Sequence, residues 1–128
     1  MKSGPIPNEV VRFLEDHIET VPHLETLLLM RQSQSVEWDA ERIAARVYVT
    51  IETARGILED LARREILTAD ETSTHYVYSS AWEQAHPEMQ ALEHSYRTAL
   101  VPVAQLIHAK AAGSLRDFAR AFRLKSDK

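Results

Sequence analysis

The side chains of this chain best suited to chemistry lie between residues 42 and 64, where five arginines are interleaved with hydroxyls and a carboxylate. On a helix laid in the major groove of a duplex, Arg55 can grip a guanine edge with two hydrogen bonds, and Glu52 can accept from a cytosine amino group. Thr50 and Thr53 can hold phosphate, and Arg42, Arg46, Arg63 and Arg64 are candidate contacts to the nucleic-acid backbone. This is recognition chemistry. A plainer use of the same charges is an ion-paired helix surface. Glu59 and Arg63, and Asp60 and Arg64, stand four residues apart, as neighbours on one helix face do.

Catalytic chemistry finds little to work with. The chain has no cysteine, which removes disulfide, thiolate-metal and thiol-nucleophile readings together. Its three glycines leave no room for a loop that cradles phosphate. The histidines His17, His23, His75, His86, His94 and His108 show no HxH or HxxxH spacing. Glu93 with His94, or Glu83 with His86, could assist a metal only if another segment completed the set. The expectation is therefore no catalytic residue, no metal site and no cofactor.

The recognition residues need positioning, and residues 39–67, DAERIAARVYVTIETARGILEDLARREIL, supply it. They read as a helix-turn-helix followed by the start of a β-hairpin. Ile43, Ala44 and Val47 share one face of the first helix, and Ala54, Ile57, Leu58 and Leu61 share one face of the second. Asp39 and Thr50 stand where a side-chain oxygen caps each helix start. Ala44 and Ala45 are small where two helices approach closely, and Val49 can plug the turn. Ile66 to Tyr78 reads as strand, loop and strand, with Tyr76 and Tyr78 alternating about Val77. Val36 to Trp38 could form a short first strand, and Trp38 is then a core plug or a partner contact, core being favoured because an indole buries a large area.

At these residues the chain resembles the winged-helix DNA-binding domains of bacterial transcriptional regulators, over roughly Asn8 to Ser79. The resemblance implies a wing formed by the hairpin and a second helix placed in the major groove. Two departures stand out. The wing loop offers Asp70, Glu71 and hydroxyls where relatives commonly carry Arg or Lys, and Glu65 stands where glycine often ends the helix in a left-handed turn.

Before this unit, Asn8 is expected to cap a helix striped by Val10, Val11, Phe13, Leu14 and Ile18. Thr20 and Pro22 open a second, whose Leu24 and Leu27 to Met30 make it apolar on most sides and hence central. After the unit, Pro87 opens one long helix closed by Gly113. Met89, Leu92, Tyr96, Ala99, Val103 and Leu106 recur at spacings of 3 and 4, the pattern of an interhelical seam. Pro102 predicts a kink near Thr98 to Pro102. Such a helix would extend roughly 37 Å, beyond a small body, so its seam is assigned to a homodimer interface in preference to folding back on its own domain. Ser114 caps a last short helix with Leu115, Phe118, Ala119 and Phe122 on one face and Arg116, Arg120, Arg123 and Lys125 on the other.

Residues 1–80 carry 8 Lys/Arg against 14 Asp/Glu, whereas 81–128 carry 7 against 5. DNA binding draws on phosphate neutralisation, so the few arginines of the first part must gather on one face. No stretch has the length of a membrane span, and the amino terminus lacks the apolar core of a signal peptide, so no membrane partner and a cytoplasmic location are expected. The expected architecture is mainly α with a small β-hairpin: a winged helix-turn-helix over 1–80, then a helical extension over 81–128. The expected function is a DNA-binding transcriptional regulator acting as a homodimer on double-stranded DNA. Two alternatives remain open. One is a protein-interaction module, marked by a mixed or acidic surface on the second helix; the other is a small-molecule sensor, marked by a solvent-open cavity between the Leu24 to Met30 helix and the C-terminal helix.

Overall fold

Apolar periodicity is realised as helix almost everywhere it occurs, and the computed structural model, which describes residues 6–109, is mainly helical with one small antiparallel sheet. Helix α1 (Asn8–His17) buries Val10, Phe13 and Leu14. Asn8 lies inside it, and Pro7 rather than Asn8 occupies the cap, its carbonyl accepting from the N–H groups of Val10 and Val11. Helix α2 (Val21–Gln32) is capped by Thr20, whose hydroxyl oxygen accepts from the His23 N–H. It buries Leu24, Leu27, Leu28 and Met30, as a central helix must, and the buried Thr26 donates its hydroxyl to the Pro22 carbonyl at 2.8 Å.

Asp39 and Thr50 cap α3 (Ala40–Val47) and α4 (Ile51–Arg63) as the sequence predicts, accepting from the N–H groups of Arg42 and Thr53. Ile43, Ala44, Ala54, Ile57, Leu58 and Leu61 are buried between and beneath the two helices. Ala45 is exposed, so Ala44 alone serves the close approach. The turn is tight because Tyr48 adopts a left-handed conformation, φ 62°, and the N–H groups of Tyr48 and Val49 both bond the Ala44 carbonyl. Helix α4 ends in a left-handed turn too, without glycine: Glu65 sits at φ 70°. Its N–H bonds the Ala62 carbonyl, the Ile66 N–H bonds that of Leu61, and Ile66 and Leu61 are fully buried, which is the Schellman pattern with its apolar clasp.

Strand β1 (Leu67–Ala69) pairs antiparallel with β2 (Tyr76–Tyr78), Leu67 opposite Tyr78 and Ala69 opposite Tyr76. The early strand expected at Val36 to Trp38 contracts to one residue, Trp38, which exchanges two 2.8 Å backbone bonds with Tyr76. Ser79 caps the short α5 (Ser80–Ala85), and α6 (Glu88–Thr98) follows.

The C-terminal region corrects the sequence expectation. In place of one long kinked helix, the chain breaks at Ala99, φ −140° and ψ 49°, and a separate helix α7 runs from residue 100 to 109. Pro102 explains the break. In a continuous helix its ring would strike the Thr98 carbonyl and leave it without a donor, whereas in the first turn of a new helix its missing N–H costs nothing. Folding back at this break consumes the predicted dimer seam: Met89, Leu92, Ala99 and Val103 are buried within one chain, with Tyr96 and Leu106 half-buried against the same core. The expected helix at 114–124 lies outside the described residues.

Two outcomes are expected in urea unfolding. Leu92→Ala should cost about 2–5 kcal/mol, with a midpoint independent of protein concentration because the cavity lies inside one chain. Glu65→Gly should add about 0.5–1 kcal/mol, since relief of the left-handed strain exceeds the entropy that glycine loses.

Candidate nucleic-acid interface

Helix α4 buries one face and leaves the other bare. Ile51, Glu52, Thr53, Arg55, Gly56 and Glu59 are exposed along it, and a Cβ built on Gly56 would meet nothing within 4 Å. Thr50 and Thr53 are committed first to the cap, the Thr50 hydroxyl accepting from the Thr53 N–H at 3.0 Å and donating to the Thr53 hydroxyl at 2.9 Å. Arg55 makes no hydrogen bond or ion pair among the described residues. It lines a groove of about 220 Å³ between the start of α3, α4 and the hairpin, with Asp39, Glu41, Ile51 and His75.

The other predicted arginines divide into two pairs. Arg42 and Arg46 place their guanidinium groups over the ring of Trp38, 4.7 Å and 5.6 Å from its centroid, and Arg42 also donates to the Glu37 carbonyl at 2.8 Å. Trp38 is thus core on one side and a platform for two cations on the other, the attraction arising from the negative face of the indole. Arg63 and Arg64 both donate to Asp60, and Arg64 also reaches the Asp16 carbonyl at 3.0 Å. Burial pushes the Asp60 carboxyl up, but Arg64 and then Arg63 outweigh it and hold the group below its ordinary range. Arg63 takes Asp60 in place of Glu59, the pairing its spacing of four had suggested.

The hairpin loop is built around an acid. Asp70 accepts from the N–H groups of Thr74 and His75, at 3.0 and 3.3 Å, and from the Thr72 hydroxyl at 3.1 Å. The Thr74 bond above all brings its carboxyl down to about 2. His75 stands between Asp70, at 3.4 Å, and the α3 cap Asp39, at 3.9 Å. The hairpin loop, the α3 cap and α4 therefore face solvent with mixed charge. Residues 6–109 carry 8 Lys/Arg against 17 Asp/Glu, and residues 110–128 carry 6 against 2.

Elsewhere, Glu83 and Glu93, considered above as metal helpers, both bind Arg31, and no cluster of three His, Asp or Glu that could hold a metal ion occurs among the described residues. The position considered for a small-molecule ligand is a shallow groove of about 220 Å³ between α2, α3 and α6, crossed by a 2.7 Å bond from the Tyr96 hydroxyl to Glu25. Burial, and then Glu25, raise that phenol to about 12. The groove is smaller than the roughly 300 Å³ at which ligand sites ordinarily begin.

Sequence reasoning missed Tyr48 and Arg31. Tyr48 is 91% exposed at the α3–α4 turn, beside Ile51 at 44%. Its signal was available, since a three-residue helix-helix turn calls for one left-handed residue. Arg31 had no local signal, because its partners lie 52 and 62 residues away.

Compared with protein-family models, with curated proteins and with solved structures, the chain matches none. No helix among the described residues is long and apolar enough to cross a membrane.

Because the folded Asp70 titrates below its ordinary value of 3.8, its hold on the loop is present above that pH and is lost as pH falls through about 2. The amide resonances of Thr74 and His75 should titrate over that interval, and Asp70→Asn should remove the step.

Proposed function

We propose that the chain is a winged-helix DNA-binding protein that regulates transcription, with α4 as the helix that enters the major groove. The observation that carries this is the bare outer face of α4, with an unpaired Arg55 at its centre. The order of elements supports it: a central helix α2, a single strand residue at Trp38 paired to the hairpin, then α3, α4 and the hairpin. Arg55 reads a guanine edge, Glu52 accepts from a neighbouring cytosine, and the Arg42 and Arg46 pair on Trp38 meets phosphate. Thr50 and Thr53 act through the helix start that they cap. Arg63 and Arg64 share the single carboxylate of Asp60, which leaves one positive charge between them and makes them lesser contacts than Arg42 and Arg46. A homodimer would have to form through another surface, since the expected seam lies in the chain's own core.

Tyr48 and Ile51 favour a second role for the same face. An aromatic and an aliphatic side chain exposed together at a turn, beside a helix of balanced charge, suit a protein partner better than a phosphate backbone.

Binding of the full chain to mixed genomic DNA fragments, at low and at moderate salt, tests the proposal. With two arginines on phosphate, the slope of log K against log salt should be shallow, about −2. Arg55→Ala should cost about 1–3 kcal/mol and flatten sequence preference, while Arg46→Ala should weaken all sequences alike and take about one unit off the slope. Absence of binding at low salt by a folded protein would overturn the DNA reading and leave the face to a protein partner.

A further inference from the structure

A second groove lies away from α4. It has a volume of about 440 Å³ and runs between α1 and α7, lined by Val11, Leu14, Leu106, Ile107 and Ala109, with Glu15 as its one charged wall. Its walls are apolar, and Val11 and Leu106 remain half-exposed to water there. Burying such a surface is favourable, and nothing among the described residues does so.

We propose that the chain's own segment from Ser114 to Phe122 docks in this groove. Three observations select that occupant. The first is position: Ala109, the last described residue, lines the groove, and only five residues, 110–114, separate it from Leu115, a reach of about 17 Å when extended. The second is pattern: Leu115, Phe118, Ala119 and Phe122 recur at helical spacing and supply two aromatic side chains to a cleft with none among its described lining residues. The third is charge. The exposed surface of α1 offers Glu9, Glu15 and Asp16 against the single cation Arg12, while Arg116, and Arg123 just beyond the segment, flank its apolar face at helical spacing. Docking sets those arginines against α1, on a charge-complementary rim, and places the phenylalanines between α1 and α7. The groove, not helix propensity, holds the segment, because an isolated helix of nine residues is marginal in water.

Amide hydrogen exchange on the full chain reads this directly. Exchange across residues 115–122 should be at least about tenfold slower than in unstructured chain, and equally slow over about a hundredfold range of protein concentration. Val11→Asp, a charge placed on the groove wall, should abolish that protection. Should Val11→Asp also unfold the body, Phe118→Ser leaves residues 6–109 untouched and carries the test: protection of 115–122 should be lost, and trypsin should cleave after Arg116 and Arg120 about tenfold faster. Absence of protection in the unaltered chain overturns the proposal, as does protection that survives Phe118→Ser. Protection that grows with concentration overturns it as well, and assigns the groove to a second copy.

Discussion

Arg31 joins the part of the fold that presents α4 to the helices that follow the hairpin. From the last turn of α2 its guanidinium grips Glu83 of α5 through two bonds, 3.0 and 2.7 Å, and Glu93 of α6 through a third, 2.6 Å. Glu83 in turn accepts from the Tyr78 hydroxyl of β2. Its bond to Arg31, the leading influence, holds the Glu83 carboxyl below its ordinary range, while burial and then Glu83 push the Tyr78 phenol up. A fork-shaped cation suits this junction better than an ammonium, since two carboxylates from different helices must be met in one plane. With Arg31 removed, Glu83 would keep only the Tyr78 hydroxyl and Glu93 only Gln32 and Arg97, in a part-buried site where losing a forked cation costs more than losing a surface ion pair. The orientation of β2 depends on this knot, the Trp38–Tyr76 bridge depends on β2, and the start of α3 depends on the bridge.

Local physics was legible in the sequence and long-range pairing was not. The caps at Thr20, Asp39 and Thr50, the buried faces of α3 and α4, and the hairpin follow from spacing and side-chain type, and each stands where those rules put it. Pro102 announced a disturbance, but a kink and a break differ only in whether α7 finds a place to pack. Ile107 and Val103 find it in the core shared with α1 and α6. The same limit produced the dimer seam. Periodicity at Met89, Leu92 and Val103 states that a face must be covered without stating by what, and a chain broken at Ala99 can cover it alone.

Charge was legible as a count and not as an arrangement. Eight cations among residues 6–109 suggest a modest phosphate footprint, but their pairing reduces it further. Arg31 is spent on two acids, Arg97 on Glu93, and Arg63 and Arg64 on Asp60. A cation already matched by a carboxylate at hydrogen-bond distance releases little when it meets phosphate, because the gain is offset by the acid left behind. What remains near α4 is Arg55, the two guanidinium groups over Trp38, and the one charge of the Arg63–Arg64 pair that Asp60 leaves unmatched. On the DNA reading proposed above, specificity would rest on one arginine over a weak electrostatic background.

Backbone strain points to the same region. The three non-glycine residues with positive φ among those described are Tyr48, Glu65 and Ser73, one at each end of α4 and one in the hairpin loop. Each costs about 1–2 kcal/mol relative to a relaxed residue. At Glu65 the cost is offset by the buried Ile66–Leu61 clasp that the turn makes possible, and at Ser73 by a loop wrapped around Asp70. The turn after α3 gains from the left-handed backbone at Tyr48 but nothing from its ring, which lies almost wholly in water. Glycine or asparagine would make that turn at less cost.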